Sequence, residues 1–469
     1  MVRWSLLILV ACIRVVSAQA ADPAPPGGLT LHAAPRPLPA GAVTSEWPCL
    51  LGPAHDGIST ETKLLEIFPP RGPAIVWETE RGAGYAPPSV AGGRVVHFHR
   101  VDGNEVVDCV DAETGRRFWR QGYPVEYKDR YGYSDGPRCQ PIIAGGCAYT
   151  LGVTGELRCL DMAGGRLVWK RDLQAEFKLK QNFFGVGGTP LVEGGRVIVD
   201  VGVEGGPSVV AYDCKTGRTV WTAGKRYGQS YASPIPGDIQ GQRRVFVFAG
   251  GESWPPTGGL MCIDPANGKV DFEFDWRGRR RESVNASPPV VVGNRVFISE
   301  CYGRGSAMIE VQADFTPKLL WKNADFGTHF MAALARDGYL YGFHGHGPRD
   351  CPLVCIEAAT GREMWRHEPQ WIEEVEVRGE KRRIQMELNR SHLMWVDGRA
   401  LCLTENSHLL WLDLNPRGYK ELSRAWLFAG AENWSPPVLS RGLLYVCQNS
   451  RDPISGKERR LICYDLRGG

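Results

Sequence analysis

The sequence predicts an all-β fold, an eight-bladed β-propeller of four-stranded antiparallel blades. Three observations carry that expectation. The stretch Asp111-Ala112-Glu113-Thr114-Gly115-Arg116-Arg117-Phe118-Trp119 reads Asp, three residues, Gly, three residues, Trp, and near-copies recur at Asp161, Asp213, Asp264, Glu357 and Asp465. With the degenerate positions Gln312 and Asp413 included, successive spacings are 50, 52, 51, 48, 45, 56 and 52 residues, the length of four short strands with their turns. Finally, 57 Gly and 33 Pro are spread along the 469 residues instead of pooled in one tract, as many short strands between turns require.

Taken in order, residues 1–20 read as a signal peptide. Arg3 gives a positive start, Leu6 to Ile13 an apolar run too short to span a bilayer, and Ala18-Gln19-Ala20 a cleavage site. Leu9-Val10-Ala11-Cys12 also resembles a lipobox, which would anchor the chain through a lipid on Cys12. The chain is expected to be exported, periplasmic or secreted, with no transmembrane helix after processing. Residues 21–44, rich in Pro and Ala, read as a disordered linker. Residues 45–70, with Trp47-Pro48-Cys49-Leu50-Leu51-Gly52-Pro53, form a strap on the main body, and residues 71–469 form the propeller.

Each period has the same internal order. A Ser/Pro turn opens it, as at Ser233-Pro234 and Ser435-Pro436-Pro437; an alternating strand, a tight Gly turn such as Gly194-Gly195 and a second strand follow. The third strand carries the apolar residues before the Asp, and the fourth carries the Trp. The last unit stops after Asp465 without a Trp strand, whereas Ile75-Val76-Trp77-Glu78 precedes the first full unit without an Asp motif. Pairing the Trp77 strand with the last unit closes the ring and removes both free edges.

Composition narrows the partners. A formal net charge of +3 supports no polyanion, so nucleic acid is excluded. The one dense basic run, Arg277 with Arg279-Arg280-Arg281, is expected to be a solvated hairpin tip. Of 14 cysteines, Cys109, Cys159, Cys262, Cys355 and Cys463 lie two residues before a repeat's acidic position, where a thiol serves as a small buried hydrophobe. Removal of Cys12 leaves an odd number, so at least one thiol is free or pairs with another molecule.

The motif Asp-x-x-Thr-Gly-x-x-x-Trp, seen at Asp111 to Trp119 and in variant form at Asp213 to Trp221 and Glu357 to Trp365, resembles the repeat of pyrroloquinoline-quinone (PQQ) propellers over residues 71–469. The strap is similar to that of exported bacterial PQQ-like repeat proteins of mostly unassigned function. The fold is also similar to the propeller lipoprotein of the outer-membrane β-barrel assembly machinery. Kelch and WD-repeat signatures do not fall in register.

In the resembling family the Trp of one blade docks on the Gly turn of a neighbour. The chemistry agrees, since a flat indole needs a surface without a Cβ. Gly115, Trp119, Gly165, Trp169, Gly217, Trp221, Gly361, Trp365 and Trp77 are therefore expected to be structural, and none of them catalytic. Function is sought where the repeats differ, in the residues before each innermost strand. Those are Tyr85, Asp135 with Arg138, Asn182 with Phe184, Tyr231, Asn285, His329, Arg390 with His392, and Asn433 with Trp434. This polar and aromatic set suits a small-ligand or peptide pocket at one channel end; a polar funnel around channel water is the other reading.

Quinoprotein dehydrogenases, by resemblance, hold PQQ and Ca²⁺ with carboxylate and amide oxygens and often carry a disulfide between adjacent cysteines. Here no Cys-Cys pair occurs, and among the channel residues Asp135 is the one clear carboxylate, with Glu432 a weaker second. No cofactor or metal is therefore expected, with PQQ and Ca²⁺ as the alternative. His97-Phe98-His99 and His344-Gly345-His346 beside Cys351 lack a third ligand at a diagnostic spacing and read as surface positions. Glu373 to Arg383 reads as a solvated hairpin between blades, which explains the 56-residue spacing. The expected function is an exported, monomeric scaffold binding an envelope protein or small molecule at its channel face, with no chemistry of its own. A PQQ- and calcium-dependent alcohol or sugar dehydrogenase is the runner-up.

Overall fold

The computed structural model describes residues 28–468 except 180, 204, 349 and 378. The expected signal peptide, and Cys12 with it, lies outside the described residues. Eight antiparallel sheets follow one another around a central channel. Seven are continuous in sequence, from Ser89–Ala91 through Arg117–Pro124 in the first to His392–Val396 through Gly418–Trp426 in the seventh. The innermost strands are short and stand side by side around the channel.

The eighth sheet joins both ends of the chain. Ala74–Glu80 pairs antiparallel with Arg460–Asp465, which pairs with Leu443–Gln448 and so with Val438–Ser440. On its outer edge Thr30–Leu31 pairs with Ala74–Glu80, Leu31 opposite Trp77. Arg36 adds an ion pair to Asp465 at 3.0 Å. From Thr30 onward, then, the stretch expected to be disordered is laid on the ring. Its two-residue strand satisfies backbone groups that the edge of the closing sheet would otherwise leave bare.

The repeat motif builds one turn and one contact. In the turn, Asp111 Oδ1 accepts hydrogen bonds from the amides of Glu113 and Thr114 and from the Thr114 hydroxyl, the last two at 2.8 Å. The same three bonds recur at Asp213. The turn ends on a Gly with left-handed φ, +69° at Gly115, where a side chain is strained. In the contact, the indole of the preceding blade covers that Gly. A Cβ on Gly115 would stand 2.9 Å from the Trp77 ring, on Gly165 2.5 Å from Trp119, and on Gly217 2.7 Å from Trp169. Trp221 over Gly268 and Trp321 over Gly361 repeat the arrangement. Each indole N–H also donates to a backbone carbonyl of the neighbouring turn, as Trp77 to Ala112 at 3.0 Å. Trp365 differs: its N–H reaches Asn415 O at 2.8 Å, and no atom lies near where a Cβ on Gly418 would be.

The strap crosses the channel. Trp47 exchanges backbone hydrogen bonds with Val90 on the first innermost strand, Pro48 O accepts from Ile143 on the second, and Gly57 and Ser59 pair with Trp395 on the seventh. Its far end is fixed by Glu61, whose carboxylate accepts from the amides of Arg441 and Gly442, both at 2.6 Å.

Three local expectations are corrected. Arg277 is buried, its guanidinium donating to the carbonyls of Gly251, Arg281 and Ser283, because a loop crossing between blades must satisfy buried carbonyls; Arg279, Arg280 and Arg281 are exposed. His97 and His99 are also buried, stacked 4.4 Å apart, with His99 taking Asp108 at 2.9 Å and the Gly82 amide at 2.7 Å. The hairpin of Gln370–Val377 and Glu380–Glu387 is largely exposed, as expected, but it is not wholly solvated: Val375 and Met386 are buried, and its base is held by Arg424 over the Trp371 ring at 4.4 Å.

Candidate functional site

On one side of the strap, loops that join outer strands to the next inner strands meet two loops between second and third strands, and together they line a cavity of about 260 Å³. Its wall is aromatic: Tyr85, Tyr133, Phe184, Tyr231, Tyr302, Phe330 and Trp434. Three imidazoles, His329, His346 and His392, and two guanidiniums, Arg138 and Arg390, interrupt it. Leu50 of the strap forms the floor, whereas its neighbour Leu51 lines a second cavity of similar size with His55, Val290 and Ala333. The strap thus divides the channel.

The aromatic rings support one another. Trp434 lies 5.1 Å from Tyr85, 5.3 Å from Tyr133 and 5.9 Å from Phe330, and Phe184 lies 5.7 Å from Tyr231, separations typical of interacting pairs. Tyr231 is fixed further by accepting the Phe184 amide on its hydroxyl at 2.7 Å.

Both arginines are held from behind by buried carboxylates. Arg390 donates through Nε to Glu405 Oε2 at 3.0 Å and through Nη2 to Oε1 at 2.5 Å, and lies 4.5 Å above the Trp434 ring. Trp434 donates to the same carboxylate at 3.0 Å. Arg138 donates through Nη2 to Asp129 at 2.7 Å. The imidazoles are neutral at physiological pH. Burial, then His346 and Arg390, push His329 down to about 3; burial pushes His392 down to about 4. His346 is lowered by burial and then by Arg390 and Arg280. His392 Nε2 lies 3.0 Å from the Trp434 carbonyl, which can only accept, so the proton is on Nε2 and Nδ1 carries a lone pair.

Of the residues singled out from sequence, Tyr85, Arg138, Tyr231, His329, His392 and Trp434 come together on this wall, with Phe184 and Arg390. Four do not. Asp135 turns its carboxylate away to the Asp129 amide at 2.8 Å and Lys128 at 2.9 Å. Asn182 and Asn285 satisfy loop backbone, Asn182 with Gln229 and Glu252 and Asn285 with Ala249 and Trp276. Asn433 is buried behind Trp434. Missed were Tyr133, Tyr302, Phe330, His346 and Leu50. The clue to His346 was the histidine pair at 344–346; it touches both His329 and Tyr302, at 4.9 Å.

As a donor set, this wall has no carboxylate of its own. Glu405 is engaged by Arg390 and Trp434, and Glu432 accepts the Tyr85 hydroxyl at 3.2 Å. Among the described residues no group of three His, Cys, Asp or Glu side chains is placed to hold a metal ion. Among the described residues no helix is long and apolar enough to cross a membrane.

The comparisons with known proteins agree with the architecture. The family model described as outer membrane protein assembly factor BamB matches residues 102–367, more than half the chain. Among curated proteins, the quinohemoprotein alcohol dehydrogenase ADH-IIG of Pseudomonas putida is 26% identical over 287 residues, covering 55% of this chain and 36% of that protein. The match thus spans about a third of that relative's length. Among solved structures, BamB from Moraxella catarrhalis superposes with a TM-score of 0.53 at 15% identity, over 84% of this chain and 98% of that one. The quinohemoprotein alcohol dehydrogenase from Comamonas testosteroni gives 0.62 at 13% identity, over 90% and 81%. A europium-containing methanol dehydrogenase gives 0.59 at 13%, over 90% and 98%. At such identities the structural likeness is one of fold. The family match over the repeats themselves goes further, and the chain belongs to the PQQ-repeat propeller family described as outer membrane protein assembly factor BamB.

Proposed function

We propose that this protein is an exported propeller that binds a partner, a small molecule or a side chain of an envelope protein, in the aromatic cavity of its channel face, without covalent chemistry. The observation that carries this reading is the lining: rings and neutral imidazoles around two arginines whose counter-charges are already engaged. Such a wall offers stacking surface and hydrogen-bond donors, which serve recognition. Among the described residues that line the cavity there is no cysteine or carboxylate, and His392 Nε2 is spent on the Trp434 carbonyl. The BamB family match supports a protein partner. Export and a monomeric state are part of the proposal.

The second reading is a quinoprotein dehydrogenase, favoured by the partial likeness to the Pseudomonas putida enzyme. The donor set does not fit the calcium that such a reading implies. Ca²⁺ takes about six to eight oxygen ligands, several of them anionic, whereas the carboxylates nearest this wall are engaged by Arg390, Trp434 and Tyr85.

One titration separates the readings. Purified protein is mixed with PQQ and Ca²⁺ and followed by melting temperature and by dye-linked alcohol oxidation. The binding reading expects neither turnover nor a calcium-dependent shift. Turnover with a rise of several degrees, as tight binding produces by mass action, would reverse the order. The binding reading also expects a specific partner from envelope extract that Trp434→Ala no longer retains.

A further inference from the structure

We propose that the channel cavity is built for a flat aromatic monocarboxylate, its ring among the aromatic side chains and its carboxylate on Arg390 beside His329. This inference rests on the channel-face binding reading and gives its ligand a chemistry.

The first argument is a surplus of donors. Arg390 spends Nε and Nη2 on Glu405, and Nη1 has no hydrogen-bond partner among the described residues. Arg138 spends both terminal nitrogens on Asp129, Ser134 and Gly136 and leaves Nε unpaired. His329 Nε2 lies 3.1 Å from the Tyr302 hydroxyl; in the tautomer in which Nε2 accepts that O–H, Nδ1 carries the proton, and Nδ1 is buried without a partner. Of the three, His329 Nδ1 is the buried one, where a missing partner is costly, whereas the free nitrogens of Arg390 and Arg138 are accessible and open to a ligand that accepts hydrogen bonds. A carboxylate accepts several such bonds, and guanidinium N–H groups bind it strongly.

The second argument limits the charge. Each guanidinium is balanced by its own buried carboxylate, Asp129 or Glu405, and the imidazoles are neutral. The wall therefore has no net positive charge to neutralise a polyanion, and one negative charge, met by oriented N–H groups, is the load it suits. The third argument is shape. Trp434, Tyr133, Tyr85 and Phe184 present ring faces and edges to one space, and a volume of about 260 Å³ is below the range of roughly 300–1,000 Å³ that holds drug-sized ligands. One or two fused rings fit that scale.

The test uses the full chain with two isosteric probes, 2-naphthoate and 2-naphthamide, read by calorimetry and tryptophan fluorescence. The naphthoate is expected to bind at least tenfold more tightly than the amide. The double variant R390Q/E405Q, which removes both charges of the pair together, is expected to bring the acid down to the affinity of the amide. Equal binding of acid and amide by the native chain overturns the proposal, as does unchanged naphthoate affinity in a folded double variant. Should the double variant not fold, Tyr133→Ala serves, since that ring is 44% exposed: it is expected to weaken both probes alike and preserve the acid-to-amide ratio, and loss of the ratio counts against the proposal. If neither probe binds but an envelope partner is retained by the native chain and lost from Trp434→Ala, the aryl-acid chemistry is overturned and channel-face binding stands. If that partner is absent too, both fall.

Discussion

Trp77 lies flat over Gly115, its ring 2.9 Å from where a Cβ would be and its N–H on Ala112 O, so the sheet that joins the chain ends is fastened to the first blade by the contact that fastens the others. That equivalence makes the contact testable at any blade. Gly165→Ala would place a methyl 2.5 Å from the Trp119 ring at a φ of +73°. Left-handed strain and overpacking together cost about 2–4 kcal/mol. Trp169→Ala should lose about 3–5 kcal/mol. Urea unfolding of both variants checks this, and an unchanged midpoint for either rejects the docking role.

Protonation should weaken the fold on acidification. His97, His329 and His392 have folded-state values depressed by burial below the ordinary imidazole range, well below for His97, to about 3 and to about 4. The unfolded chain takes up these protons first, so their contribution is complete above the unfolded value of about 6.5 and is lost as pH falls through the folded one. Asp200 acts oppositely: burial raises its carboxyl to about 7, which favours the fold as pH drops below that. Among the described residues burial lowers eight imidazoles, these three with His55, His99, His344, His346 and His408, and raises five carboxyls, Asp200 with Asp56, Glu61, Glu105 and Glu300, so the balance is a net fall in melting temperature between pH 6.5 and 5. His392→Gln should flatten that fall, and a profile identical to the native one would remove His392 from the account.

The thiols should be inert in the native state. All thirteen described cysteines are free, and burial pushes Cys49 and Cys262 up to about 12 and Cys109 and Cys355 to about 11. The half-buried Cys147 and Cys214 are the positions expected to react first with a thiol reagent, with the remainder, Cys301 among them because burial raises its thiol, released on denaturation. Reductant should leave the melting temperature unchanged; a fall of several degrees would reveal a disulfide.

The strap should shape the cavity floor. Leu50→Ala removes apolar floor under the aromatic wall while Trp47 and Glu61 still fix the strap on either side. Aromatic probes should bind more weakly to this variant, with a stability loss at the low end of the 2–5 kcal/mol seen for larger core truncations. Calorimetry and melting on the same preparation separate the two effects.

Most of the architecture was legible because repetition multiplies a weak local signal: one Asp-Gly-Trp spacing is noise, whereas copies at a steady period specify strand number, turn type and the residue beneath each indole. The channel was legible only in position. Tyr85, Tyr231 and Trp434 could be placed by their distance from the innermost strand, but so could Asn182, Asn285 and Asn433, and spacing cannot show that an amide there serves loop carbonyls. Tyr302 and His346 come from the other class of loop on the same face, between second and third strands, where lengths vary and no repeat fixes the register.

Because Ala74–Glu80 pairs with Arg460–Asp465, the order of synthesis matters. The strand Ala74–Glu80 must wait, through nearly 400 residues of chain, for its partner to be made. Until then its apolar face, Trp77 included, has only Gly115, the first blade and the short strand Thr30–Leu31 to cover it. Newly made chains truncated before Arg460 should therefore be open-ended arcs with a bare strand at one edge, prone to pair with whatever extended segment they meet.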